Sequence, residues 1–382
     1  MANILLAGGG TAGHVNPLLA TAAELADRGH QVAALGTATG LESELVPRAG
    51  LDLHVVPRAP LPRRISGDMV RLPAAWRAAV KAAGAAIDAT QAQAVVGFGG
   101  YVSAPAYVAA NRRGVPVIVH EANARPGLAN RLGARKAAAV AITFPGTPLR
   151  GAVVTGLPLR EEVRMLADDL VVPDSAAAVR AAARARLGWP ADAPVLLVTG
   201  GSLGAASLNA ATVGAVRALV AHGVHVIHLT GKGKADEALE LHAALEPDQR
   251  RMYDVREYAH DMEHMFACAD AVACRAGAAT VSEVTALGLP AVYVPLPHGN
   301  GEQALNAAAA VAAGAAVLID DSDLTPAALE QQAERLVLDP DSSRAARAAA
   351  ASIGIRDGAQ RLADLVEGSL ESGTGKTKAG RS

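Results

Sequence analysis

Two doubly wound α/β domains are what this sequence predicts, and three observations predict them. Short apolar runs ending in glycine turns alternate with Ala-rich helical stretches along the chain, and strands separated by helices build parallel sheets through right-handed crossovers. The pattern restarts once: NILLAGGGTAG at residues 3–13 is replayed by PVLLVTGGSLG at 194–204. With 382 residues, the chain also exceeds the roughly 250 to 300 residues at which single cores split.

Taken in order, the first half offers strands in NILLAG (3–8), QVAALG (31–36), AVVGFG (94–99), VPVIVHE (115–121) and AVAITF (139–144). LPLREEV at 157–163 and a polar, Ala-rich helical stretch to about 187 read as a hinge. The second half offers PVLLVTG (194–200), VHVIHLTG (224–231), AVACRAG (271–277), PAVYVPL (290–296) and AAVLID (315–320). A C-terminal helix then runs into ESGTGKTKAGRS, a composition that predicts disorder. Its GTGKT imitates the end of a Walker loop, but Leu370 stands where the motif needs glycine and no strand precedes it.

A net charge of -2, with 51% hydrophobic and 19% charged residues, describes a folded soluble protein and gives no reason to expect nucleic acid as partner. Cys268 and Cys274 lack metal-ligand spacing and read as small buried thiols. The N-terminus has no basic region before its apolar run, so it reads as a first strand and not a signal peptide. The blandest stretch, residues 307–319, is interrupted by Gly314 and is shorter than the ~20 residues of a membrane span.

A strand, a glycine turn and a helix start together present backbone N–H groups and a partial positive charge to an anion. Three such junctions are GGGTAGH (8–14), GFGGYVS (97–103) and TGGSLGAAS (199–207); a fourth, CRAGAAT (274–280), stands near a helix start marked by Thr280 and Ser282. Gly8, Gly10 and Gly13 have dinucleotide-binding spacing, yet QVAALGTATG supplies no acid for a ribose, and Glu24 and Asp27 fall on the intervening helix. Nicotinamide and flavin are therefore disfavoured. In the second half Glu283 is placed to accept a ribose diol, and Ser202 with the backbone of Gly200 and Gly201 to hold a diphosphate. Asp321-x-Asp323 and Asp339-x-Asp341 read as caps or turns, not as metal ligands. Helix dipoles, Ser202 and Arg160 would then meet the phosphate charge, with no metal and no cofactor.

Nine segments in this order, GGGTAGHVNP, GFGGYVSAP, HEANARPGLANR, FPG, TGLPLR, GGSLGAASLN, CRAGAATVSE, GLPAVYVPLPH and GNGEQALNA, resemble the MurG family. These are the UDP-N-acetylglucosamine:undecaprenyl-pyrophosphoryl-MurNAc-pentapeptide N-acetylglucosaminyltransferases of peptidoglycan synthesis. The resemblance implies a GT-B fold, two Rossmann-like domains facing across a cleft. An acceptor and membrane-facing domain would span 1–158, completed by a helix over 346–368. The UDP-sugar donor domain would span 159–345, and 369–382 would be a disordered tail.

The resemblance also implies site residues. Donor contacts would come from Thr11, Ala12, Gly13, Asn123, Arg160, Ser202, Ala259, Ala278, Glu283, Glu302, Gln303 and Asn306, with Glu283 on the ribose, Gln303 on the sugar and backbone near Ala259 on the uracil. Acceptor contacts would come from Gly10, Thr11, His14, Gly99, Gly100 and Tyr101. His14, Asn123 and Glu283 would be catalytic. Ala122, Leu157 and Ala276 stand where the family commonly has Gln, Asn and Ser.

One inverting displacement needs one base. His14 opens a helix, whose N-terminus disfavours the imidazolium and keeps the ring able to accept a proton. A lipid-linked acceptor requires contact with an anionic membrane surface at the cytoplasmic face. Met69, Leu72, Trp76 and Val80, with Arg77 and Lys81, lie at near-helical spacing suited to that contact; an ordinary surface helix with its apolar side inward has the same pattern. A UDP-N-acetylglucosamine 2-epimerase-like enzyme and a noncatalytic UDP-sugar sensor are the alternative readings.

Overall fold

The computed structural model describes residues 1–58, 72–298 and 300–378. The chain forms two compact units, Met1–Arg160 with the segment from Asp357 onward, and Glu161–Arg356.

In the first unit β1 (Asn3–Ala7), β2 (Gln31–Gly36), β3 (Asp52–Val55), β4 (Ala94–Gly97), β5 (Val117–Glu121), β6 (Ala139–Ile142) and β7 (Ala152–Val154) form a sheet in the order β3-β2-β1-β4-β5-β6-β7. Every neighbouring pair is parallel. The connecting helices are α1 (Ala12–Asp27), α2 (Glu42–Arg48), α3 (Leu72–Ala89), α4 (Gly100–Arg113) and α5 (Leu128–Gly133). Alternate side chains of one strand bury on opposite faces. Leu5, Val95 and Val119 pack with α3 and α4 through Ala83, Ile87 and Ala106, while Ile4, Leu6, Val96 and Ile118 pack with Leu18 and Leu25 of α1. Burial on both faces is why these strands read as unbroken apolar runs, and each such side chain contributes about 1.5–3 kcal/mol.

The second unit begins with α6 (Glu161–Val171) and α7 (Pro173–Arg186), the stretch read as a hinge. Its strands β8 (Val195–Thr199), β9 (His225–Leu229), β10 (Tyr253–Arg256), β11 (Ala271–Cys274), β12 (Ala291–Tyr293) and β13 (Ala316–Leu318) lie in the order β10-β9-β8-β11-β12-β13, again all parallel. Between and after them come α8 (Ala206–Ala221), α9 (Asp236–Ala243), α10 (Pro247–Arg250), α11 (Met262–Cys268), α12 (Ala278–Ala286), α13 (Glu302–Ala312), α14 (Pro326–Val337) and α15 (Pro340–Ile353). Cys268 and Cys274 are free and buried, and burial pushes the Cys268 thiol up to about 11.

The expected single helix over 346–368 is two. α15 stays in the second unit, and α16 (Gly358–Lys378) belongs to the first. The break falls at Gly354, which is extended (φ -68, ψ 127) and pressed so closely on the Thr285 carbonyl that a Cβ would lie 2.3 Å from it. The division points accordingly move from 158 and 345 to 160 and 356. α16 buries Leu362, Ala363 and Val366 in the α1 face of the first sheet, and Arg28 reaches across to Asp364 and Glu367 at 2.6 and 2.7 Å. The tail expected from 369 continues this helix through Lys378, decoy included. Leu370 still packs against the core, and extending an existing helix costs far less than starting one. Residues 379–382 lie outside the described residues.

In each unit the connections run outward in both directions from one pair of strands, β1 and β4 in the first and β8 and β11 in the second. Such reversal points leave a crevice at the carboxyl ends of the strands.

Candidate active site

Register brings the two glycine loops of the first unit side by side: Ala7 at the end of β1 pairs with Gly97 at the end of β4. The loop after β4 then presses on the loop after β1. Gly99 and Gly100 have φ of 97 and 77, and a Cβ on Gly100 would lie 2.7 Å from the Gly9 carbonyl. A Cβ on Gly99 would lie 3.1 Å from His14 Nε2. Neither position tolerates a side chain without moving the histidine loop.

Thr11 is the N-cap of α1, extended and without a side-chain capping bond. Its Oγ1 instead lies 3.1 Å from His14 Nδ1, which is also 3.2 Å from the Gly9 carbonyl. The first-turn amides of α1, at Ala12 and Gly13, are the ones that helix geometry leaves for an outside acceptor. Tyr101 is exposed, stands beside Gly10 and carries the Arg58 guanidinium 5.3 Å above its ring. Gly10, Thr11, His14, Gly99, Gly100 and Tyr101 therefore form one patch.

Sequence reading missed the groups that shape this patch. Glu121, at the end of β5, is buried and accepts from the amides of Asn123 and Gly127, both at 3.0 Å, and from Asn130 Nδ2 at 2.9 Å. It folds the HEANA loop and so places Asn123. Burial pushes its carboxyl up, against those hydrogen bonds. Asn130 accepts from the Tyr107 hydroxyl at 2.8 Å. The available signal was a glutamate ending an apolar strand run, where a charge has to be paired.

His120, one residue earlier, is buried with Nε2 3.1 Å from the Gly156 carbonyl and Nδ1 unpartnered. Burial lowers it to about 4. The native state thus refuses a proton that the unfolded chain accepts, so this contribution to stability is complete above 6.5 and is lost as pH falls toward about 4. His120→Gln, which keeps a donor for Gly156, is expected to flatten unfolding free energy against pH across that window by up to about 1.4 kcal/mol per unit. Urea titrations at several pH values would measure it, and an unchanged slope would refute the assignment.

In the second unit the candidate donor residues gather at the carboxyl edge of the sheet. Ser202 is exposed in the turn between β8 and α8, a turn closed by the Gly204 amide on the Gly201 carbonyl at 2.9 Å. No side chain caps α8 at Ala205, so its N-terminus suits an anion. Ala259 is buried in the loop after β10. After β11, Gly277 is the N-cap and Ala278 the first residue of α12. Thr280 and Ser282, expected to mark the helix start, lie inside it because the extended Gly277 (φ -65, ψ 148) already turns the chain. Glu283 sits on the second turn, half-buried.

Gln303 accepts the Leu296 amide through Oε1 at 2.9 Å, which leaves its amide nitrogen as the donor for a ligand. Buried Asn306 donates to the Ala276 carbonyl at 3.2 Å, tying α13, with Glu302 at its start, to the turn before α12. Asp339 caps α15 as expected. Asp321 lies in a turn, as expected, and there pairs with Arg275 and accepts from Ser207 at 2.6 Å, since the half-buried guanidinium beside it demands a counter-charge. Ala122, Leu157 and Ala276 are all buried. Arg160 is the last residue of the first unit and half-buried.

The membrane stripe needs correction. Val80 is a core residue and Trp76 is half-buried against the same cluster, because α3 uses its apolar side, with Ala79, Ala83 and Ile87, to cover the sheet. Arg77 and Lys81 are exposed. Met69 and the Leu72 side chain lie outside the described residues. Among the described residues no helix is long and apolar enough to cross a membrane.

Comparison with known proteins matches residues 4–142 to the glycosyltransferase family 28 N-terminal domain and residues 195–362 to its C-terminal domain. A UDP-N-acetylglucosamine--N-acetylmuramyl-(pentapeptide) pyrophosphoryl-undecaprenol N-acetylglucosamine transferase of Clavibacter sepedonicus is 50% identical over 96% of both chains. Its counterpart in Frankia casuarinae is 49% identical over 92% of this chain and 91% of its own. The crystal structure of Acinetobacter baumannii MurG superposes with a TM-score of 0.75 at 30% identity, covering 96% of this chain and 99% of that one. The chain belongs to the MurG family. Its two parallel-sheet α/β domains are those of a GT-B glycosyltransferase, and as a MurG-family chain it is a hexosyltransferase.

Proposed function

We propose that this chain transfers N-acetylglucosamine, with inversion, from UDP-N-acetylglucosamine to the 4-hydroxyl of the MurNAc unit of undecaprenyl-diphospho-MurNAc-pentapeptide, at the cytoplasmic face of the membrane. The observation that carries this reading is identity of about one residue in two, along almost the whole chain, with transferases named for that donor and acceptor.

The roles follow from the chemistry at hand. His14 takes the proton of the attacking hydroxyl, and Gly10, Thr11, Gly99, Gly100 and Tyr101 seat the acceptor around it. Negative charge grows on UDP as it leaves. The α8 N-terminus with Ser202, and Arg160, stabilise that charge. Glu283 holds the ribose diol, the backbone at Ala259 reads the uracil, and Gln303 and Asn123 orient the sugar. Thr11, Ala12, Gly13, Ala278, Glu302 and Asn306 complete the donor contacts. Exposed Arg77 and Lys81 attract anionic lipid, each worth about 1 kcal/mol near such a surface.

Labelled UDP-N-acetylglucosamine, a short-chain lipid acceptor and a chelator are expected to give disaccharide product, with UDP released only when acceptor is present. UDP-sugar epimerised without acceptor, or bound and never consumed, would overturn the reading in favour of an epimerase or a sensor. Arg77→Glu combined with Lys81→Glu should weaken binding to anionic vesicles and leave donor KM unchanged; equal vesicle binding would refute that surface.

A further inference from the structure

Glu42 lies outside every role assigned above, yet it is fully buried and directed at the histidine loop. Its Oε2 accepts the Gly10 amide at 2.8 Å, and its Oε1 accepts the Thr37 amide at 2.9 Å and the Thr37 hydroxyl at 2.6 Å. The carboxylate sits where side chains on Gly9 and Gly40 would stand, with a Cβ on either within 2.4 Å of a carboxylate oxygen. Burial alone would push Glu42 up, but the Thr37 and Gly10 hydrogen bonds outweigh it and hold the group below the usual carboxylate range. It is an anion in the native protein.

The Gly10 N–H and the Gly9 carbonyl are two ends of one peptide group. One end faces Glu42, and the other lies 3.2 Å from His14 Nδ1. Two tautomers of His14 compete for this setting. With the proton on Nδ1 the ring donates to the Gly9 carbonyl, which can only accept; with the proton on Nε2, Nδ1 accepts from the Thr11 hydroxyl 3.1 Å away. An anion bonded to the N–H end polarises the peptide and makes its carbonyl the stronger acceptor.

We propose that Glu42 is a positioning residue, acting through the Gly9–Gly10 peptide to hold His14 as the Nδ1–H tautomer with the Nε2 lone pair presented to the acceptor hydroxyl. The proposal rests on the reading of His14 as the base. Among the described residues, the other titratable or charged groups around the ring include His120 from β5, Tyr101 from α4 and Arg58 above Tyr101. None of these has a hydrogen bond to the Gly9–Gly10 peptide among those described, whereas Glu42 does.

The test is ¹⁵N NMR of histidine-labelled full-length protein at a pH where His14 is neutral, its signals assigned by their loss in His14→Gln. Wild-type protein is expected to show protonated Nδ1 and unprotonated Nε2. Glu42→Gln should shift both resonances toward a tautomer mixture and lower kcat about tenfold, with donor KM unchanged, whereas Thr37→Val, which keeps the charge, should preserve the wild-type pattern. An unaltered pattern in Glu42→Gln overturns the proposal whatever happens to turnover. If Glu42→Gln does not fold, the wild-type spectrum still decides, because a proton on Nε2 contradicts the assignment. Normal turnover in an alanine variant of His14 would sink the base reading instead, and the spectra keep the two failures apart.

Discussion

Replacing His14 with alanine is expected to lower kcat by about 10² to 10⁴-fold, the range that a positioned general base supplies, with little change in donor KM or in the unfolding midpoint. The selectivity follows from where the ring sits. His14 is half-buried and stands outside the core clusters that fill the two faces of the sheet, so truncation opens no cavity in the sheet core. Steady-state kinetics against each substrate, with a thermal melt, would measure the effect. Turnover within a factor of a few of wild type, in a protein that melts normally, would remove His14 from the chemistry.

The second large effect is expected from Gly100→Ala. At φ 77 the new side chain costs about 1–2 kcal/mol in backbone strain, and its Cβ would stand 2.7 Å from the Gly9 carbonyl. Relief requires that carbonyl to move, and His14 is paired with it. A displacement on the scale of 1 Å near reacting groups costs about 10²-fold in rate. Gly114→Ala is the matched comparison: it also has positive φ, 70, but its Cβ would meet nothing within 4 Å. Both variants should lose stability, and only Gly100→Ala should lose turnover. Equal kcat in the two would mean that the loop contact does not hold the histidine.

What the sequence made legible follows from burial. Nine of the ten strands it showed lie inside their sheets, largely covered on both faces, and stand out as apolar runs; the tenth, β13, is an edge whose AAVLID is apolar all the same. The three it hid, β3, β7 and β10, are sheet edges, and their side chains are largely part-exposed, so DLHV, AVV and YDVR lack that signature. The glycine loops were legible because backbone packed on backbone admits no other residue. Glu42 was not, since an acid in ESELVPR reads alike whether it meets water or the Gly10 and Thr37 donors; the Glu121 signal, an acid closing the apolar run VIVHE, says that the charge is paired and not with what. The α3 stripe misled for a related reason: periodicity shows that Trp76 and Val80 share a side, and only packing shows what that side covers.

The path of the chain has a consequence for its synthesis. α16, which closes the α1 face of the first sheet, is encoded after all of Glu161–Arg356. At roughly 5–20 residues per second, the nascent first unit waits on the order of 10 to 40 s on the ribosome with the part of that flank beside β4 and β6, Val96 and Ala141 included, left open. For that interval it is a natural client for chaperones, and a premature stop codon near position 356 would strand it permanently in that sticky state.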